Sequence, residues 1–220
     1  MTAGRGFVLL LIVLLVLVLA GIIALVTPDK ARLADLAIAN VPQSGVLNPV
    51  TAVLLNFRGY DTLLEVAVLF LAIVGIWSMA RHARVWIKIP DTPVLVVFVR
   101  LLLPLMVIAA GYLFWLGADF PGGAFQGGAV LGGMGVLWVA AALWQPPASF
   151  RRLLRPLLSL GILAFTTVAL LTLFMGYNLL QYPPAQAKTL IIIIEGAAVL
   201  SIGATLTLLF IGGFPKKRED

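Results

Sequence analysis

Six apolar runs of about twenty residues leave this chain few ways to fold in water. The chain is 62% hydrophobic and only 11% charged, and its mean hydropathy is +1.11. An apolar helix of about 20 residues matches the thickness of a bilayer's hydrocarbon core. No soluble domain of this size could bury so much apolar surface. The sequence therefore predicts an all-α, polytopic integral membrane protein with about six transmembrane helices.

Boundaries and orientation follow from the apolar runs and the charges between them. We predict the spans over residues 7–26, 62–80, 93–115, 124–144, 157–175 and 189–211. An even number of spans puts both termini on one side of the membrane. That side carries ten basic residues, Arg5, Arg81, Arg84, Lys88, Arg151, Arg152, Arg155, Lys216, Lys217 and Arg218, whereas the opposite loops carry four, Lys30, Arg32, Arg58 and Lys188. The positive-inside rule then predicts that both termini lie on the cytoplasmic side of the membrane.

Glycine is concentrated where the fourth span begins. Eight of the nineteen residues from 117 to 135 are glycine, although each costs about 1 kcal/mol against alanine in a helix interior. Small residues allow neighbouring helices to approach closely, and glycine permits a sharp bend where the backbone lines protein rather than lipid. We predict a packing or kink motif in an outer turn that opens the fourth helix. Its residues are Gly117, Pro121, Gly122, Gly123, Phe125, Gly127, Gly128 and Gly132.

Two carboxylates are the candidates for chemistry. Glu195 follows Ile191–Ile194 inside the last apolar run, where a carboxylate is costly unless it is paired, solvated or protonated. It either contacts protons or cations on an ion path or forms a hydrogen bond that holds helices together. Glu65 either caps the second span in a capping box with Thr62 or lines the same protonatable path as Glu195.

Several classes of function are excluded for this chain alone. It has no cysteine and one histidine, His82, so it cannot build a thiolate-held cluster or a histidine-built metal or haem centre. The glycine-rich stretch opens a membrane span and does not match a nucleotide-binding fingerprint. We expect no cofactor, no metal and no enzyme activity. The formal charge of +6 indicates cytoplasmic anchoring, not nucleic-acid binding.

The glycine-rich motif resembles a known family signature. Gly117-x-x-x-Pro121-Gly122-Gly123-Ala124-Phe125-x-Gly127-Gly128 is similar to the Gly-His-x-x-Pro-Gly-Gly-Gly-Phe-x-Gly-Gly signature of the MnhB family, the B-type subunits of Mrp-type Na+/H+ antiporters. The resemblance implies a four-helix membrane domain over residues 89–220, with Glu195 at the family's acidic position in the last helix. Ala118 stands where the family has histidine, and Ala124 replaces a glycine.

A second resemblance covers the first part of the chain. The core Phe57-Arg58-Gly59-x-Asp61-Thr62-Leu63-x-Glu65 is similar to the MbhE-type module, which forms a small hydrogenase-complex subunit or the C-terminal end of the large A-type antiporter subunit. It implies a two-helix module over residues 1–88. The whole chain then resembles a natural fusion of the two modules.

Together the resemblances imply an accessory membrane subunit that lines or supports an ion path in an Mrp-type Na+/H+ antiporter. Its expected partners are the large A- and D-like subunits, the small C-, E-, F- and G-like subunits, Na+, H+ and the lipid bilayer. One alternative is an ion-translocating subunit of a redox-driven, complex I-like or membrane-bound hydrogenase complex. The other is a purely structural spacer.

Overall fold

The regular elements of this protein are helices. The computed structural model describes residues 2–25, 33–79, 93–141, 143 and 148–212. Within these ranges the helices are α1 (Thr2–Leu25), α2 (Leu33–Asn40), α3 (Pro49–Thr51), α4 (Gly59–Met79), α5 (Pro93–Leu116), α6 (Ala124–Ala140), α7 (Ala148–Phe174) and α8 (Ala187–Phe210). A 3₁₀ turn occupies Val41–Gln43 and a π-helical segment occupies Ala52–Phe57. The described part of the chain is therefore all-helical, as predicted.

Within the described ranges, four helices are long and apolar enough to cross a bilayer. They are α4, α5, α7 and α8, with membrane-compatible stretches over Gly59–Ser78, Pro93–Leu116, Leu153–Phe174 and Ala187–Phe210. The apolar stretches Leu9–Leu25 and Ala124–Ala140 are shorter. His82 and the basic clusters at residues 81–88 and 216–218 lie outside the described residues, as do the side chains of Arg151 and Arg152.

The chain divides into two compact units, residues 1–36 and 37–220. In the first unit, α1 is a helix of 24 residues without acidic residues in its first turn or basic residues in its last. The second unit contains α3 to α8 and carries the features described below.

Helix α8 lies at the centre of the second unit. It contacts α4, α5, α6 and α7, and it has the largest buried share of the four membrane-length helices. Two of its buried hydroxyl groups donate to carbonyls on neighbouring helices. Ser201 Oγ donates to the Leu158 carbonyl at 2.6 Å, and Thr207 Oγ1 donates to the Gly132 carbonyl at 3.2 Å. These bonds fasten α8 to α7 and α6, where no water is available to satisfy a hydroxyl.

Glycines bring α6 and α8 into close contact. A Cβ atom on Gly128 would lie 2.8 Å from Ile202 Cβ, and one on Gly132 would lie 2.8 Å from Leu206 Cβ. Real Cβ atoms do not approach so closely, so neither position of α6 has room for a side chain. This is the small-residue packing typical of helix pairs in membranes.

Helix α7 begins well before the apolar run from which we predicted it. It starts at Ala148 and continues through Arg155 and Pro156, whereas the predicted span started at Leu157. Apolarity marks only the part of a helix that faces hydrocarbon, and the helical backbone continues into the polar region beyond it.

Candidate functional site

Glu195 lies about two turns into α8, with its side chain turned toward the glycine-rich turn between α5 and α6. Only 3% of the residue is exposed. A Cβ atom on Gly117 would lie 3.2 Å from Glu195 Oε1, and one on Gly123 would lie 3.0 Å from it. The turn therefore has room for this carboxylate because both positions lack a side chain.

The carboxylate of Glu195 meets the first residue of α6. The backbone N–H of Ala124 donates to it, so a side chain of α8 does for α6 what an N-cap residue usually does. The N-cap position is Gly123, whose φ of 123° favours glycine and whose missing side chain supplies no cap. A negative charge here also suits the positive end of the α6 dipole.

The second carboxylate oxygen of Glu195 is in a different situation. Glu195 Oε2 is buried and has no hydrogen-bond partner among the described residues. Burying such an atom unpaired costs free energy, and native proteins almost always satisfy it with a partner or an ordered water. Chemically, Oε2 is the atom of this site that can take a proton, a water molecule or a cation.

Asn48 holds the glycine-rich turn from the other side. Its Nδ2 donates to the carbonyls of Gly117 at 3.0 Å and Phe120 at 2.7 Å. Its Oδ1 accepts from the Val50 N–H at 3.0 Å and so caps α3. Asn48 is only 5% exposed, and all three polar contacts of its side chain fix the chain path beside Glu195.

Thr51 and two backbone amides complete this contact. Thr51 Oγ1 donates to the Gly117 carbonyl at 2.5 Å. The N–H groups of Leu47 and Asn48 donate to the Ala118 carbonyl at 3.0 and 3.1 Å. Ala118, which stands where the MnhB signature has histidine, is buried and contributes its backbone. Sequence reasoning missed Asn48 and Thr51, and their only signal is the Asn-Pro pair that begins α3.

The Phe-Arg-Gly motif marks the change from π-helix to α-helix. The Arg58 N–H donates to the Val53 carbonyl at 2.8 Å, the five-residue spacing of a π-helix, and α4 then begins at Gly59. Thr62 Oγ1 donates to the Leu54 carbonyl at 2.6 Å. The predicted capping box is therefore wrong, because Thr62 lies inside α4 and its hydroxyl serves the preceding π-helical segment. The exposed side chains of Arg58 and Asp61 form an ion pair.

Glu65 lies on the surface of α4. It lines an open groove together with Asp61, Leu64, Val68, Leu69 and Phe125. Phe125 is the neighbour of Ala124, which bonds Glu195, but no hydrogen bond joins the two glutamates in the described part of the chain. The structure thus brings Glu195, Gly117, Gly123 and Ala124 together and leaves Glu65 outside this enclosed cluster.

The site offers few ligands for a bound metal. In the described ranges no group of three His, Cys, Asp or Glu residues could hold one. The polar groups of the site are a single carboxylate and the backbone groups beside it.

These features define a class before any comparison. The chain has several membrane-length helices, and they surround a buried carboxylate that caps a neighbouring helix. It is therefore a multi-pass α-helical membrane protein with a polar centre inside it. Residues 94–214 match the family described as a domain related to the MnhB subunit of Na+/H+ antiporter, and the chain belongs to that family.

Two curated relatives are similar to this chain. A probable K+/H+ antiporter protein of Rhizobium meliloti, designated as the A/B subunit, is 24% identical over 215 residues, with 76% of this chain and 20% of the relative covered. An uncharacterized protein of Methanocaldococcus jannaschii is 28% identical over 166 residues, with 65% of this chain and 63% of the relative covered. The chain thus spans one fifth of the length of the first relative and just under two thirds of the length of the second.

Two solved structures share the fold. A chain of the membrane-bound sulfane sulfur reductase, an archaeal respiratory membrane complex, superposes with a TM-score of 0.69 at 26% identity over 96% of this chain and 98% of that one. A chain of the Mrp complex from a Dietzia species superposes with a TM-score of 0.66 at 20% identity over 100% of this chain and 27% of that one. The family match relates this chain to the MnhB subunit of Na+/H+ antiporters, and the two solved structures show its fold.

Proposed function

We propose that this chain is an accessory membrane subunit of an Mrp-type monovalent cation/proton antiporter and that Glu195 lies on its ion path. The observation that carries the proposal is Glu195 Oε2, a buried carboxylate oxygen that lies in a membrane-length helix and has no hydrogen-bond partner among the described residues. Such a group is costly unless a proton, water or cation compensates it, and groups of this kind usually mark ion or proton pathways.

The transported ions are proposed from the relatives. The family description refers to a Na+/H+ antiporter, and the Rhizobium meliloti relative is named as part of a K+/H+ antiporter. We propose Na+ and H+ and treat K+ as the alternative cation to be tested in the same assay. The chain itself acts in transport and not as a catalyst.

The proposal includes a modular architecture. Residues 1–88 form an MbhE-type module with two spans, and residues 89–220 form the MnhB-like domain with four. The family match over residues 94–214 lies inside the second module, and the combined A/B designation of one relative supports a fusion. With six spans, both termini lie on the cytoplasmic side of a bacterial inner membrane. The proposed partners are A- and D-like large subunits and C-, E-, F- and G-like small subunits.

Glu195→Gln tests the ion-path role. The glutamine oxygen can still accept the Ala124 N–H, so the helix cap survives, whereas the titratable group is lost. We expect cation-dependent proton movement in everted vesicles to fall to the level of vesicles without the complex. Assembly on a native gel should stay unchanged. The assay is run with Na+ and with K+ as the counter-cation.

Two further carboxylate variants are compared with Glu195→Gln. Asp35→Asn removes an exposed carboxylate of α2 and should leave transport unchanged. Glu65→Gln should lower transport if Glu65 lies on the path, and normal transport would remove Glu65 from the proposal. Full transport in Glu195→Gln vesicles would overturn the ion-path role and favour the structural-spacer alternative.

A redox-driven complex is the second candidate, and one observation favours it. The chain superposes on nearly the whole length of a chain from an archaeal respiratory complex at 26% identity. Purification in mild detergent separates the candidates. Iron–sulfur or other redox subunits would co-purify in a redox-driven complex, and only membrane subunits in an antiporter.

A further inference from the structure

A cavity lies where α5 ends and α8 begins. It has a volume of about 120 Å³, which is room for a few water molecules. It is lined by Phe114, Trp115, Ala118, Asp119, Lys188 and Ile192. The mechanism described so far makes no use of it.

The cavity has a charged rim. Lys188 Nζ lies 2.8 and 2.9 Å from the two carboxylate oxygens of Asp119, and this ion pair joins the α5–α6 turn to the first turn of α8. The two side chains are 49% and 30% exposed, so the pair lies at the surface of the chain. Trp115, also exposed, stands beside it, as expected of a residue at a membrane–water interface. These groups place the mouth of the cavity where water is available.

Two residues that line the cavity, Phe114 and Ile192, lie close to the part of α8 that carries Glu195. A Cβ atom on Gly196 would lie 3.3 Å from the Phe114 ring, so this ring lies against the residue next to Glu195. Ile192 precedes Glu195 by one helical turn on α8 and therefore lies on the same side of the helix. Glu195 carries Oε2, a buried oxygen that lacks a hydrogen-bond partner among the described residues.

We propose that this cavity is the aqueous entrance to Glu195, with Asp119 and Lys188 as its polar rim and the Phe114 ring as the plug at its inner end. The inference rests on the proposed ion-path role of Glu195. Water or a small cation enters between the ion pair and Trp115, and displacement of the Phe114 ring connects the cavity to the carboxylate. A dry packing defect and a pocket open to lipid are the other possible states of this space.

Cysteine accessibility distinguishes these states without any transport measurement. The chain has no cysteine, so each substitution introduces its single thiol. Three consecutive isoleucines provide a matched series: Ile192 lines the cavity, Ile193 is 53% exposed on the outside of α8, and Ile194 is fully buried. Membranes that contain the intact complex are treated with Ag+, a small thiol-reactive cation. The protein is then denatured, and the remaining thiols of this chain are labelled with a fluorescent maleimide.

We expect Ag+ to block the thiol of Ile192→Cys several-fold faster than those of Ile193→Cys and Ile194→Cys. For the plug, Glu195→Cys is compared with Phe114→Ala/Glu195→Cys and Phe114→Leu/Glu195→Cys. Removal of the ring should speed the reaction at position 195, and the leucine variant gives the answer if the alanine variant does not fold.

Two results would overturn this inference. Equal protection at positions 192 and 194 would mean that the cavity is closed to water, as in a dry packing defect or a pocket open to lipid. An unchanged rate at position 195 after loss of the Phe114 ring would mean that the ring is not the plug. Neither readout depends on transport. The accessibility results can therefore refute the entrance while Glu195→Gln still abolishes antiport. They can also support the entrance while Glu195→Gln leaves antiport intact, which would refute the ion-path role instead.

Discussion

The contact between Asn48 and the glycine-rich turn can be tested quantitatively with Asn48→Ala. The substitution removes the bonds to the Gly117 and Phe120 carbonyls, each worth about 0.5–1.5 kcal/mol net, and the cap of α3, worth about 1 kcal/mol. The sum is about 2–4 kcal/mol. For a chain of this length, 1 kcal/mol shifts the unfolding midpoint by about 2–4 °C, so a total shift of about 5–15 °C is expected.

Thermal unfolding of the purified protein at one fixed scan rate, followed by tryptophan fluorescence, measures this shift. Thr51→Val removes one hydrogen bond and leaves the Gly117 carbonyl its Asn48 partner, so it should lower the midpoint by only about 1–6 °C. Asn178→Ala is the matched control, because this exposed side-chain amide donates to Gln181 Oε1 and its loss should cost about 0.5 kcal/mol or less. If Asn48→Ala unfolds at the same temperature as Asn178→Ala, the contact does not hold the turn and our reasoning is refuted.

Two further predictions concern packing and burial. Gly132→Ala should destabilise the protein by about 1–3 kcal/mol because the new Cβ would collide with Leu206. Gly75→Ala, with no atom within 4 Å of its Cβ position, should be neutral or stabilise the protein by up to about 1 kcal/mol. Only Gly132→Ala should therefore lower the midpoint of thermal unfolding, and equal midpoints for the two variants would contradict this packing. Burial raises the pKa of Tyr182 above its usual value of about 10, so the phenol is neutral in the folded state and the unfolded state loses its proton first. Raising the pH from about 9 to about 11 should therefore lower the thermal unfolding midpoint of the wild type more than that of Tyr182→Phe. An equal drop in the two midpoints would contradict the burial of this hydroxyl.

Helix positions could be read from the sequence because hydrocarbon selects for apolar runs. Pro93 and the run after it predicted α5 to within one residue, and the Pro-Gly-Gly sequence at 121–123 marked the beginning of α6. The neighbourhood of Glu195 could not be derived in the same way. Its contacts with Ala124 and the two glycines join residues about 70 positions apart, and no periodicity reports which helix faces which.

The turn that holds the site was harder still to anticipate. Asn48 and Thr51 are single polar residues in a short connection, where composition predicts only a loop. The π-helical segment adds one residue per turn and shifts the start of α4 to Gly59, so a capping pattern at Thr62 was misread. A π-helix leaves no mark in the sequence that resembles the hydrophobic period of an α-helix. Such segments occur frequently at functional sites, and this one begins directly after Thr51, which belongs to the contact that holds the glycine-rich turn.

The length of α6 explains why a carboxylate is tolerated at position 195. With 17 residues α6 is about 26 Å long, shorter than a hydrocarbon core of about 30 Å, so its first N–H groups need partners at a depth where water is scarce. The Leu113 carbonyl accepts the N–H of Gly123 at 2.9 Å, and Glu195 accepts the N–H of Ala124. Glu195→Leu would remove this acceptor and should impair assembly, whereas Glu195→Gln keeps it and should impair only transport. If both variants assemble like the wild type and differ from it only in transport, α6 does not need this cap, and the carboxylate is retained for the ion alone.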